Sequence, residues 1–469
     1  MVAPAFYADV SMPYVFGQSI GCLLIDSDQN MQSIDKLAYK LAVSIIHGAW
    51  SHEDITGRIA AAFDNEKLDA DILAKNIIKA HGRQPKIGDL QETIAEDERF
   101  GAWVLKLDHT PKIMRINVQH DVMGEKPYFI EHDLHKIETY HDLALWLRLS
   151  DNDLAWFSDC QGRQARVKQS KLHHYRYQWI KRKHGYPRLL EIPKLALKEI
   201  QRQILHDILD YVPPHAAVHG FCKNRSCKTH AMNHVGQDVV VRMDLENFFT
   251  SISSERVTAL FCALGYPREV ARNLASLCVN TPSPHFLGSH YQNLPWQRQK
   301  SLLQPHLPQG APTSPILANL CAWKFDKRLQ GLADKMGVTY SRYADDMVFS
   351  GGKYLGKRFS YLRNVVEDIA KDEGFRINHR KTCIMTQAQR QLVVGVTVND
   401  HLNISRIEYD ALKATLYNCV RYGGEEQNRI NHSDFKSYLR GRIAYIEGIN
   451  SARGEKLHAL YQKIEWNNK

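Results

Sequence analysis

The sequence predicts an α+β protein, with strands in the middle of the chain and helices towards both ends. Three observations carry this. Asp238–Met243 (DVVVRM), the runs on either side of Tyr343-Ala344-Asp345-Asp346, and Leu392–Val398 (LVVGVTV) are short, β-branched and apolar, as strands are. Residues 172–194 (LHHYRYQWIKRKHGYPRLLEIPK) read as a hairpin, with strands at Tyr175–Ile180 and Arg188–Ile192. Apolar residues recur at helical spacing in Asp35–Ala49, in Leu68–Ala80 and throughout Ile404–Trp466.

At 469 residues the chain is long enough for two or three domains with their own cores. No apolar run reaches the roughly 18 residues of a membrane helix, and the first Lys or Arg is Lys36, so neither a span nor a secretory signal is expected. Nine cysteines without a tight framework imply reduced thiols and a cytoplasmic protein. The formal charge is +10, unevenly placed: residues 1–150 hold 15 Lys and Arg against 22 Asp and Glu, a net −7, which leaves +17 for the rest. A basic body of this kind suits a polyanion such as nucleic acid.

Residues 1–140 are expected to form a small mixed or helical domain, with short strands at Phe100–Leu107 and Lys112–Val118 and an N-cap at Ser51. Ile137–Leu149 and the segment after Ser150 read as a helical bridge. From Arg163 to Arg202 there are twelve Lys and Arg and two acids, with Tyr175, Tyr177, Trp179 and Tyr186 interleaved, a composition that fits a ribbon lying over phosphates. Its plain alternative is a solvated hairpin with snorkelling stems. Pro193–Ile208 is amphipathic. Residues 251–306 suggest helices and a polar loop, without chemistry. Leu307–Pro315 is a loop opening into a long helix, Ile316–Met336, so Gln309 and Thr313/Ser314 can position template or nucleotide. Gly356–Glu373 and three segments after 404 complete the helices.

Cys222, Cys227, His230 and His234 have C-x4-C-x2-H-x3-H spacing. Zinc fingers usually have a longer middle loop. The preferred reading is a polar loop and helix start in which Lys223 and Arg225 reach template phosphates.

The chemistry is expected at three aspartates. Asp244 ends the strand DVVVRM, and Asp345 and Asp346 sit between two apolar strands, where adjacent carboxylates repel each other. Divalent cations relieve that repulsion, and oxygen ligands suit Mg²⁺. Two metals about 3.5–4 Å apart are a known device for in-line phosphoryl displacement. Lys181, Arg182, Lys183, Arg188 and Lys381 are the nearby cations that would neutralise phosphate charge. Phe248 reads as core, and Phe249 as a ring beside the sugar of an incoming nucleotide.

MDLENFF, LPQGAPTSPILANL and YSRYADDMVFS resemble the ordered palm motifs of bacterial reverse transcriptases, and QGAPTSP is most similar to the retron enzymes. The 172–192 hairpin and HGFCKNRS resemble the fingers motifs, and NHRKTC with LVVGVTVN the later palm motifs. The chain departs from the retron pattern at His230–His234, where Asn-Ala-x-x-His is usual, and at Val393-Val394-Gly395, where Val-Thr-Gly is usual. The resemblance implies a right-hand polymerase: an accessory domain at 1–140, fingers and palm at 141–403 and a helical thumb at 404–469. It implies RNA-directed DNA synthesis with two Mg²⁺, for which Mn²⁺ can substitute. The implied metal ligands are Asp244, Asp345, Asp346 and the backbone carbonyl of Leu245. Lys181, Lys183, Arg188, Phe249, Gln309 and Lys381 would bind nucleotide, and Arg182, Lys223, Arg225, Tyr343, Arg440 and Arg442 nucleic acid. The implied partners are deoxynucleotides, a DNA product and a structured non-coding RNA template, within phage defence. The acidic N-terminal domain is expected to recruit an effector protein or to shape the RNA complex. A group II-like, diversity-generating or abortive-infection polymerase remains open, as does a nucleic-acid-binding scaffold with an inactive site.

Overall fold

The protein is represented by a computed structural model that describes residues 34–46, 50–63, 68–82, 85–105, 123–125, 127, 130, 132–160, 162–164, 167, 169–182 and 185–466. The chain divides into two compact units, residues 1–122 and 123–469.

The described part of the first unit is helical: Ile34–Ile46, His52–Ala62, Ala70–Ala80, Ile87–Ala95 and Glu98–Leu105. Ser51 and Asp69 cap two of these helices through their side-chain oxygens. Leu41, Ile45, Ile59, Ile77, Leu90 and Phe100 fill the core between them. The strand expected from Phe100 is a helix instead, as far as Leu105. The Asp97 carboxylate accepts from the Arg99 and Phe100 N–H groups at 3.1 and 2.9 Å, which starts a helical turn. The strand expected at Lys112–Val118 lies outside the described residues.

The second unit begins at 123, earlier than the boundary expected at 140. Gly124 donates to the Gly265 carbonyl at 2.7 Å, and Ile130, Leu134 and Ile137 lie in this unit's main core. Gly265 has φ +98, and a Cβ there would sit 2.5 Å from the Gly124 carbonyl oxygen, so the approach requires glycine.

Strands β1 (Tyr175–Ile180) and β2 (Arg188–Pro193) form the expected hairpin, with Tyr175 opposite Pro193. The central sheet contains β3 (Val239–Asp244), β4 (Thr339–Tyr343), β5 (Asp346–Gly351) and β6 (Cys383–Thr386) in the order β4-β5-β3-β6, every pair antiparallel. The middles of its central strands, Val239–Val241 and Met347–Phe349, are apolar because both faces are covered. Val239, Val241, Met243, Met347 and Phe349 face one core, which includes Phe325, Leu329, Leu362 and Val366. Val240 and Val348 face a second core, shared with the short hairpin β7 (Leu392–Val393) and β8 (Val396–Thr397). Burial of this kind, of order 1.5–3 kcal/mol per large apolar side chain, fixes the register, since a one-residue slip would exchange the two faces.

Three C-terminal helices, Arg406–Tyr422, Phe435–Ile449 and Ser451–Tyr461, complete the second core through Leu412, Leu416, Leu439, Ile443, Ile446 and Leu457. The long helix expected at Ile316–Met336 is two helices, Ser314–Cys321 and Trp323–Met336, which meet at Ala322.

Candidate active site

Antiparallel register brings the ends of β3 and β5 together, and Asp244 pairs directly with Asp346. Asp345 lies in the two-residue turn between β4 and β5, and its carbonyl accepts the Leu245 N–H at 2.9 Å. Two adjacent acids and a third about a hundred residues earlier in the chain thus converge at one sheet end. Asp244 is almost fully buried, whereas Asp345 and Asp346 are half-buried. Lys381 donates to Asp244 Oδ2 at 2.7 Å and Asn378 to Oδ1 at 3.1 Å. The Arg242 guanidinium stands 3.8 Å from Asp346.

Burial raises the Asp346 carboxyl to about 6, with Arg242 opposing and the charges of Asp345 and Asp244 adding to the rise. Burial also raises Asp244, against the Lys381 hydrogen bond and with the Asp345 charge. Carboxylates crowded in this way favour a cation, and an all-oxygen donor set fits a hard divalent ion. Among the described residues, no group of three or more His, Cys, Asp or Glu is placed to hold a metal ion as the side chains stand. Lys381 and Asn378 hold Asp244, and Arg242 faces Asp346.

The turn itself is held from behind. Ala344 has φ +56, a left-handed conformation that costs a non-glycine residue roughly 1–2 kcal/mol. Arg342, fully buried, donates from Nη1 to the Ala344 carbonyl at 2.8 Å. The same guanidinium grips Asp326 in a two-pronged pair at 2.8 and 2.6 Å, and Nη1 also reaches Asn319 Oδ1 at 3.1 Å. Tyr340 donates to Asp326 at 2.8 Å. From the other side, His219 donates to the Arg342 carbonyl at 2.8 Å, and Gly220 abuts the turn so closely that a Cβ would fall 2.7 Å from the Ala344 nitrogen.

An open cleft is lined by the β1–β2 hairpin, the segment after β3, the loop at Gln309 and the helix Trp296–Leu302. Arg182, Arg188, Asn247, Thr250, Arg298 and Gln309 face it. Gln309 Oε1 is enclosed without a hydrogen-bond partner, while the Gln309 carbonyl accepts the Glu191 N–H at 2.9 Å.

Residues 180–398 match the family described as reverse transcriptase (RNA-dependent DNA polymerase). The retron Mx65 reverse transcriptase of Myxococcus xanthus is 33% identical over 344 residues, covering 72% of this chain and 74% of that protein. The chain belongs to the retron reverse transcriptases. The retron Mx162 enzyme of the same organism is 32% identical over 71% of this chain and 68% of its own length. The retron Ec86 enzyme of Escherichia coli is 31% identical over 62% and 81%. The protein is therefore an RNA-directed DNA polymerase with a right-hand fold, and its family uses divalent metal ions.

The reverse transcriptase places several expected residues differently. Arg225 does not reach outward: its guanidinium donates to the carbonyls of His215 and Ala216 at 3.2 and 2.9 Å and to that of Val218. Lys223 pairs with Asp210 at 2.9 Å. Thr313 and Ser314 are buried. Lys381 stands on Asp244, with its half-exposed amine bonded to Oδ2. Lys183 lies outside the described residues. Lys181, Arg182 and Arg188 are exposed on the hairpin beside the cleft. Phe248 is core, and half-buried Phe249 lies between it and Phe221, at 5.8 and 6.2 Å between ring centres. Tyr343 is partly buried against Phe221 and His230, while Arg440 is exposed and Arg442 half-exposed on the helix Phe435–Ile449.

Three of the four residues with zinc-like spacing are engaged elsewhere. His234 bonds Ser350 Oγ at 2.7 Å and Ser341 Oγ at 2.6 Å through its two ring nitrogens. His230 bonds Ser341 at 2.8 Å, and the Cys222 thiol donates to the Gly220 carbonyl at 3.2 Å. Sequence reasoning missed Arg242, Asn319, Arg342, Asn378 and Arg298. Arg342 had a signal, since an arginine inside a short strand next to the aspartates must find an acid if it is buried. The others are visible only once distant segments meet.

Proposed function

We propose that Asp244, Asp345 and Asp346, with the Leu245 carbonyl, form the polymerising centre and would hold two Mg²⁺ ions, or Mn²⁺ in their place. The observation that carries this is the register pairing of Asp244 with Asp346, with Asp345 in the adjoining turn. When bound, the ions supply charge that lowers the pKa of the primer 3′-hydroxyl and balances the triphosphate. The remaining work belongs to the chain. Arg182, Arg188 and Lys181 meet the phosphates, and Gln309 offers its enclosed amide to the base or sugar. The Phe249 ring borders the sugar and disfavours a 2′-hydroxyl. Tyr343, Arg440 and Arg442 lie along the template and product. Arg342 and Gly220 keep the Asp345 turn in one conformation.

The template is a structured non-coding RNA, copied in the bacterial cytoplasm as part of phage defence, and the acidic N-terminal unit binds an effector protein. The retron names of the relatives support the first part, and the charge contrast between the two parts of the chain supports the second. Purifying the full chain from its host and sequencing the attached nucleic acid tests this. One abundant structured RNA joined to complementary DNA is expected. Recovery of random RNA, or of untemplated DNA, would contradict the retron reading.

A further inference from the structure

The cleft beside the aspartates contains one cation that sequence reasoning left without a role. Arg298 lies on the helix Trp296–Leu302, in the stretch to which no chemistry was assigned, and it lines the cleft with Arg182 and Arg188 of the hairpin. Trp179 donates to the Leu287 carbonyl at 2.8 Å, and Leu189, Leu287, Leu294 and Leu302 form a small core that fixes this segment against the hairpin. The Arg298 guanidinium rests 5.1 Å from the centre of the Tyr186 ring.

The charge balance of the cleft points to an anion. Among the described residues that line it, the one acid, Glu191, is buried and already engaged by His306 at 3.0 Å and Asn280 at 2.8 Å. Among the described residues, Arg182, Arg188 and Arg298 form no ion pair with a carboxylate. Partial burial, then the charges of Arg188 and Arg298, lowers the Arg182 pKa, and Asp345 and Asp244 oppose this. Arg182 thus feels the charge of both other cleft arginines and lies within electrostatic reach of the aspartates. A polyanion placed between arginines and aspartate-bound cations relieves both repulsions.

We propose that Arg298 is a third guanidinium of the triphosphate pocket, binding the β- and γ-phosphates of the incoming deoxynucleotide and the pyrophosphate that leaves. This rests on the polymerising centre proposed above. In the reaction the primer 3′-oxygen bonds to the α-phosphorus and the bond from that phosphorus to the bridging oxygen breaks. Its electron pair departs with pyrophosphate, and the hydroxyl proton passes to solvent. Arg298 touches only the part of the substrate that leaves, so it acts equally on the forward substrate and the reverse one.

The test uses the full chain on a primed RNA template, comparing Arg298→Ala, Arg298→Lys and Arg188→Ala. KM is measured for deoxynucleotide in extension and for inorganic pyrophosphate in the reverse reaction. Arg298→Ala is expected to raise both by about tenfold, the scale of one lost charge-assisted hydrogen bond, with kcat and template–primer Kd little changed. Arg298→Lys should recover part of the loss. Circular dichroism and a melting curve establish folding, and Arg298→Gln serves if the alanine variant does not fold. Both KM values unchanged in Arg298→Ala but raised in Arg188→Ala would overturn the assignment of Arg298 and leave the pocket standing. No change in either variant would overturn the pocket itself.

Discussion

Arg342 Nη1 donates a 2.8 Å hydrogen bond to the carbonyl of Ala344, the residue before the first aspartate of the turn. The two are separated by one residue, yet the bond depends on the whole second unit. The guanidinium is oriented by Asp326 on the helix Trp323–Met336 and by Asn319 on the helix before it. A strained turn is thus tied to the rigid body of the protein, and the direction of the Asp345 side chain with it.

Arg342→Lys tests this tie. Lysine keeps the charge but cannot make the two-pronged pair and reach Ala344 together. The variant is expected to fold and to lose about a hundredfold in kcat, with KM for deoxynucleotide little changed, as a displacement of about 1 Å would produce. Arg342→Ala leaves Asp326 buried without its partner and is expected to cost about 3–5 kcal/mol of stability, read by denaturant unfolding.

Gly220→Ala probes the same turn from outside. A Cβ 2.7 Å from the Ala344 nitrogen and 3.2 Å from the Tyr343 carbonyl carbon must displace backbone. Single-nucleotide extension is expected to slow at least tenfold, while the melting temperature falls by only a few degrees. Gly236→Ala, where φ is +71 but nothing lies within 4 Å, is the control: it strains the backbone without touching the turn and should leave the rate of extension unchanged.

The histidines behind the sheet predict a dependence on pH. Burial, then the charges of His234, His219 and Arg342, lowers His230 to about 2. Burial, then His219, lowers His234 to about 3. Both are neutral in the fold, whereas the unfolded chain takes up protons below about 6.5. Stability is therefore full above that pH and declines as pH falls towards the folded values, at up to about 1.4 kcal/mol per pH unit for each histidine. Melting curves from pH 7 to 5 should show this decline, and His234→Asn should flatten it. An equally steep fall in the variant would remove His234 from the explanation.

The central sheet was legible because its signals are local. DVVVRM, the YADD hairpin and the 175–192 ribbon each carry strand propensity together with turn or charge signals, and all formed as read. The approach of Asp244 to Asp346 followed from both lying at strand ends. What escaped was set by partners distant in sequence. Lys223 and Arg225 look free in the chain, but Asp210 and three loop carbonyls take them up. The alternation of Phe100–Leu107 suggested a strand, but a side-chain cap at Asp97 prevailed as far as Leu105. Arg298 lies in a segment with no motif, and only the folded hairpin beside it gives it a role.

The most direct test of the central claim is single-turnover addition of one deoxynucleotide to a primed RNA template by the wild type and by Asp345→Asn, with template–primer affinity measured in parallel. The account predicts at least a thousandfold slower addition in the variant, undiminished affinity for the primed template and an unchanged melting profile. Addition by Asp345→Asn at close to the wild-type rate would contradict it.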